Sequence, residues 1–177
     1  PTYTQERDLI RILISYGNTL LPTDEITVAE YLIDEWEVMQ EDFGIDCSFQ
    51  QPIFAKVFDL VRQQVVEGQA APSEQYFIHH EDEEIQKLAI DLLAQPNEVS
   101  KNWEERHGIY TAEVKFEQDV YSAHHRYITR LIDREVKRLN EEMKGTAQPD
   151  KQQKLLQKVL LLKQMEQKVI GNTVVKR

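Results

Sequence analysis

Apolar side chains recur every three or four residues along nearly all of this chain, the spacing of one stripe on an α-helix. Residues 5–16 put Leu9, Ile10, Leu13 and Ile14 on one face, and Gly17 closes the segment. Thr27 followed by Glu30 reads as a capping box, in which a threonine hydroxyl and a glutamate three residues on satisfy each other's backbone N–H groups. The helix it opens carries Val28, Tyr31, Leu32, Trp36 and Met39 and ends before Gly44. Pro52 stands where a first helical residue tolerates a missing N–H, ahead of Ile53, Phe54, Val57, Phe58, Val61, Val65 and Val66, and Gly68 stops that run. Pro72-Ser73 begins a short helix holding Tyr76, Phe77 and Ile78. Another helix, over 82–94, presents Ile85, Leu88, Ala89, Leu92 and Leu93. Residues 97–111 are weakly patterned and predict one short helix around Trp103. No segment reads as a strand and no repeat is visible. The short loops are those of a helical bundle.

The last third is patterned differently. Ala112 to Lys144 is 33 residues with no Gly and no Pro. Its stripe is Val114, Val120, Tyr121, Ile128, Leu131, Ile132, Val136, Leu139 and Met143. Such a helix spans roughly 50 Å at about 1.5 Å per residue. Gly145-Thr-Ala-Gln-Pro149-Asp supplies a C-cap and a new N-terminus, and a second stripe follows at Leu155, Val159, Leu162, Met165 and Val169. The pattern predicts an all-α fold: a bundle of five or six helices over residues 1–112, then a long helix and C-terminal helical hairpin over 113–177. The hairpin is expected to project from the compact core, and the bundle to fold without it.

Charge reverses at the same boundary. Residues 1–128 hold 9 Lys and Arg against 25 Asp and Glu, a net of −16, and residues 129–177 hold 12 against 6, a net of +6, summing to −10. An acidic body joined to a basic arm implies two surfaces with different partners. The acidic body argues against strong direct nucleic-acid binding, which relies on Lys and Arg. No apolar run approaches the roughly 20 residues of a membrane span, so no membrane partner is expected. The lone cysteine, Cys47, excludes an internal disulfide and suits a reducing cytoplasm. The chain starts at Pro1 rather than Met, which leads us to expect a piece of a longer protein.

Candidate chemistry is sparse. His79-His80 and His124-His125 are adjacent pairs, pointing about 100° apart on a helix, and no two histidines have the i, i+4 spacing of a zinc site. The run Glu81-Asp-Glu-Glu84 opens a helix, where the dipole favours acids in any case. No phosphate loop, nucleophile elbow or magnesium-binding acidic motif is present. The sequence therefore assigns no catalytic, cofactor-binding or metal-binding residue. The strongest signal is on the last helix. Leu156 and Leu160 form a line about 100° round from the inner seam, Leu161 lies beyond it, and a two-helix hairpin needs only one seam. The expected partner-binding residues are Leu156 and Leu160, with Lys154, Lys158 and Lys163 at the rim.

The order QERDLIRILISYG (5–17), QPIFAKVFDLV (51–61) and PSEQYFIHHEDEEIQKLAIDLL (72–93), followed by a long helix and hairpin, resembles the C-terminal helicase-binding domain of bacterial DNA primase. The similarity runs the length of the chain and is loosest at 95–115. It implies a bundle subdomain and a hairpin subdomain that docks on the hexameric replicative helicase, coupling RNA primer synthesis to fork unwinding in DNA replication, in the cytoplasm at the replisome. The piece itself would not be an enzyme. The parent would be a DNA-directed RNA polymerase, a nucleotidyltransferase, whose zinc and magnesium belong to domains preceding this one. The N-terminal domain of the replicative helicase, with a similar bundle-and-hairpin shape, and an unrelated helical adaptor are the alternatives.

Overall fold

The computed structural model describes residues 2–94 and 112–175, with the side chains of 112–115 and 169–175 excepted. The fold is all-α. Its elements are α1 (Tyr3–Tyr16), β1 (Leu20–Leu21), β2 (Ile26–Thr27), α2 (Val28–Glu41), α3 (Pro52–Val66), α4 (Glu74–Ile78), α5 (Glu83–Leu93), α6 (Ala112–Lys144) and α7 (Pro149–Val175). The expected helix around Trp103 falls outside the described residues, as do the side chains of Val114 and Val169.

The caps behave as their sequences dictate. Thr27 Oγ1 accepts from the Glu30 N–H at 3.2 Å while the Thr27 N–H donates to Glu30 Oε2 at 2.7 Å, closing the capping box. Ser73 accepts from the Tyr76 N–H and begins α4. Asp82 accepts from the Glu84 N–H and begins α5, so the acidic run is a helix start. Gly44 and Gly68 follow α2 and α3 with φ of 58° and 75°, a region that costs glycine little.

α1 is central and touches α2, α3, α4, α5 and α6. It therefore buries Ile12 as well as the expected Leu9, Ile10, Leu13 and Ile14. It also buries a carboxylate: Glu6 is fully enclosed, accepting from Thr2 Oγ1 at 2.5 Å and from the Gln50 N–H at 3.1 Å, which ties the loop before α3 to the start of α1. The core residues of α2, α3 and α5 close around it, with Phe54, Val57, Phe58, Leu32, Ile85 and Leu92 all buried.

Two expectations need correction. The first is that no strand exists. β1 and β2 form a two-residue antiparallel pair, Leu20 opposite Thr27 and Leu21 opposite Ile26, with Glu25 at φ 56° in the turn. Strands this short leave no alternation to read. The second is that the last third stands outside the core. Val120, Ala123, Tyr127, Leu131 and Ile132 of α6 are buried in the same cluster as α1 and α3. Tyr16 meets Phe116 edge-on with centroids 4.9 Å apart, Tyr31 meets Tyr121 at 5.3 Å, and Tyr127 Oη donates to the Cys47 carbonyl at 3.1 Å. Contacts to the body continue to Arg134, whose guanidinium donates to the Asp46 carbonyl. The physical reason is that α6 carries two adjoining apolar lines, one for the bundle and one for α7. A stripe read as a single seam hides the first.

Candidate functional site

The hairpin turn is closed by its own polar groups. Thr146 Oγ1 donates to the Glu142 carbonyl at 2.9 Å and Gln152 Nε2 donates to the Thr146 carbonyl at 2.6 Å. Pro149 then opens α7 antiparallel to α6. Leu162 and Met165 are buried on the seam, with Leu155 and Val159 packed half-buried beside them.

Ion pairs also join α7 to α6. Glu135 on α6 is buried, at 7 % exposure, and takes the Arg138 guanidinium at 2.8 and 2.9 Å and Lys158 Nζ of α7 at 3.1 Å. Arg138, and after it Lys158, hold the Glu135 carboxyl below its usual range against the opposing effect of burial. Lys163 pairs with Glu166 at 2.8 Å and reaches Asp133 on α6 at 3.6 Å, and the Glu166 hydrogen bond raises its pKa. Lys151 pairs with Glu142 at 2.9 Å. A Cβ added at Gly44 would lie 3.8 Å from Lys158 Nζ, so α7 passes the loop after α2 here.

This locking turns a set of leucines outward. Leu156, Leu160 and Leu161 are 49 %, 55 % and 49 % exposed. At 100° per residue, Leu156 and Leu160 share one outer line and Leu161 sits on the opposite flank of the same helix. Of the expected rim, Lys154 is exposed and has no ionic partner among the described residues, whereas Lys158 and Lys163 are engaged within the hairpin. The structure thus brings Leu156, Leu160 and their solvent-facing neighbours together, and shifts the unneutralised charge away from two of the three predicted lysines. Sequence inspection missed the Glu135–Arg138–Lys158 knot. Its one signal was the i, i+3 pair Glu135 and Arg138 on a polar face.

The remaining candidates are structural. His79 Nδ1 lies 2.9 Å from the Gln75 carbonyl oxygen, and His80 Nδ1 accepts from the Asp82 N–H at 3.0 Å, so both serve the α4–α5 turn. His124 is buried where α6 meets α2, its Nδ1 3.1 Å from Tyr31 Oη. Burial, and after it His125, push the His124 imidazole down to about 4. Among the described residues no three His, Cys, Asp or Glu side chains converge as a metal site would require. A shallow groove of 330 Å³ lies between Tyr16–Thr19 and Pro72–Gln75 and has Glu74 as its one carboxylate. No helix among the described residues is long and apolar enough to cross a membrane.

Compared with known proteins, residues 1–172 match the model of a family described as a domain of unknown function, DUF8430. No curated protein and no solved structure matches the chain.

Proposed function

We propose a function for this chain, which belongs to the DUF8430 family, from its own surfaces: it is a protein-interaction domain that presents the outer face of α7 to a partner. The observation that carries this is three half-exposed leucines on a helix whose rotation is set by its buried Leu162 and Met165 seam, with Lys158 and Lys163 reaching across to Glu135 and Asp133 on α6. Exposed apolar surface held in one orientation is a recognition surface. The partner we propose is the hexameric replicative helicase, with this chain as the C-terminal region of a bacterial DNA primase acting at the replisome in the cytoplasm. The support is the similarity of residues 5–17, 51–61 and 72–93 to that domain, and the arm that follows them. The primer-synthesising chemistry, with its zinc and magnesium, would reside in the other domains of that parent.

Burying Leu156 and Leu160 against a partner contributes roughly 2–5 kcal/mol together, about 30-fold or more in affinity. Titration calorimetry of the chain with the same organism's replicative helicase tests this. Wild type is expected to bind, and Leu156→Ala/Leu160→Ala to bind at least thirtyfold more weakly at unchanged helical circular dichroism. A wild-type chain that does not bind the helicase refutes the partner. A folded double variant that binds within twofold of wild type refutes the surface.

A further inference from the structure

We propose that copies of this chain associate head to tail, the basic outer line of α6 in one copy lying along the acidic outer face of α2 in the next. Both faces are what remains after each helix has satisfied its own charges. On the hairpin, Arg138, Lys151, Lys158 and Lys163 are consumed by Glu135, Glu142, Asp133 and Glu166, and Arg134 turns to Asp46. Arg130, Lys137 and Lys144 are exposed and have no ionic partner among the described residues. They stand seven residues apart, so they share the side of α6 opposite its buried positions Ile128, Leu131, Ile132 and Leu139.

The face of α2 is its counterpart. The helix has no Lys or Arg, and its outward positions are Glu30, Asp34, Glu37, Val38 and Glu41. Glu30 is committed to the capping box and Glu37 to Arg62 at 3.0 Å. Asp34 and Glu41 are exposed, seven residues apart, and have no ionic partner among the described residues. Partial burial, and then the like charges of Glu37 and Glu30, raise the Asp34 pKa. Val38 is 39 % exposed between the two.

The spacings match. Seven residues advance a helix about 10.5 Å, so two neighbouring cations of α6 meet Asp34 and Glu41 together when the helices lie alongside, with Val38 covered between them. The two faces are different surfaces of one chain, so the contact is heterologous and continues from copy to copy. A nucleic-acid strand fits the α6 line less well, because the stretch from Arg130 to Lys144 holds no aromatic side chain on which a base could stack. Being rim charge, the contact weakens steeply with salt, as the screening length falls from about 30 Å at 0.01 M to about 3 Å at 1 M.

The test is sedimentation velocity of the whole chain up to millimolar concentration at these two ionic strengths. Wild type is expected to self-associate at low salt, with an association constant at least tenfold lower at high salt. Arg130→Glu/Lys137→Glu/Lys144→Glu and Asp34→Lys/Glu41→Lys should each remain monomeric. Mixed in equal amounts they should associate again, since each then offers the other both complementary faces. All the substituted side chains are exposed, and circular dichroism checks that each variant is folded. A wild type that stays monomeric at low salt, variants that associate as wild type does, or a mixture that stays monomeric overturns the proposal. So does a monomeric chain that binds poly(dT) through the same three cations, which would assign the line to nucleic acid.

Discussion

Tyr127 is the sharpest probe of whether α6 belongs to the core. It is 1 % exposed, stacks on Phe49 with centroids 6.0 Å apart and planes 16° from parallel, and donates to the Cys47 carbonyl at 3.1 Å. Trp36 Nε1 donates to that same carbonyl at 3.3 Å. Tyr127→Phe therefore leaves the acceptor one donor and should cost about 1 kcal/mol, the net worth of an ordinary hydrogen bond. Trp36→Phe removes the other donor at a similar cost, plus the packing of the larger ring on Phe58 and under Arg62. Together the two strand a buried carbonyl, whose desolvation costs about 1–3 kcal/mol. The double variant should thus lose roughly 1 kcal/mol more than the sum of the singles. Tyr127→Ala opens a cavity as well and should cost about 3–5 kcal/mol. Urea unfolding followed by helical circular dichroism measures all four. Additive singles would show that the carbonyl is not shared. A Tyr127→Ala cost below about 1 kcal/mol would show that α6 does not fold with the bundle.

Truncation after residue 111 removes Val120, Tyr127, Leu131 and Ile132 from the shared core, so the shortened chain should melt without a cooperative transition; a sharp melt near that of the whole chain would refute this. His124 predicts an acid-sensitive joint. Its folded pKa of about 4 lies below the unfolded 6.5, so the unfolded state binds the proton first and stability falls as pH drops from about 6.5 toward 4, by about 3 kcal/mol in all. His124→Gln, which retains a partner for Tyr31 Oη, should flatten that part of the stability curve, and an unchanged slope would show that other groups set it.

The local elements were legible because their signals are local. The capping box of Thr27 and Glu30, Pro52 at a first helical position and Ser73 before α4 each act within a turn of helix. The two-residue β-pair was not legible, since a strand needs several alternating positions to declare itself. The docking of α6 was hidden for a different reason. Tyr127, His124 and Tyr121 find partners on the loop after α2, on α2 itself and in the turn between β1 and β2, between 80 and 97 residues away in sequence, and helical period says which residues share a face but not what that face meets. The outward leucines of α7 were visible as surplus over one seam. The engagement of Lys158 by Glu135 was not, because it depends on how the two helices are rotated about each other.

Cys47 is the single cysteine of the chain, 1 % exposed, and its carbonyl is the one shared by Tyr127 and Trp36. Burial, and then Asp46, push its thiol up to about 12, so the closed molecule offers a reagent neither access nor thiolate. Alkylation must wait for the joint between α6 and the loop after α2 to open. The rate of labelling therefore runs as a clock on that one opening, at one site, with no probe to introduce. At low reagent concentration it reports the fraction of time the long helix is away, and at concentrations where labelling outpaces reclosing it reports how often the helix lets go, both of which equilibrium melting averages over the whole fold.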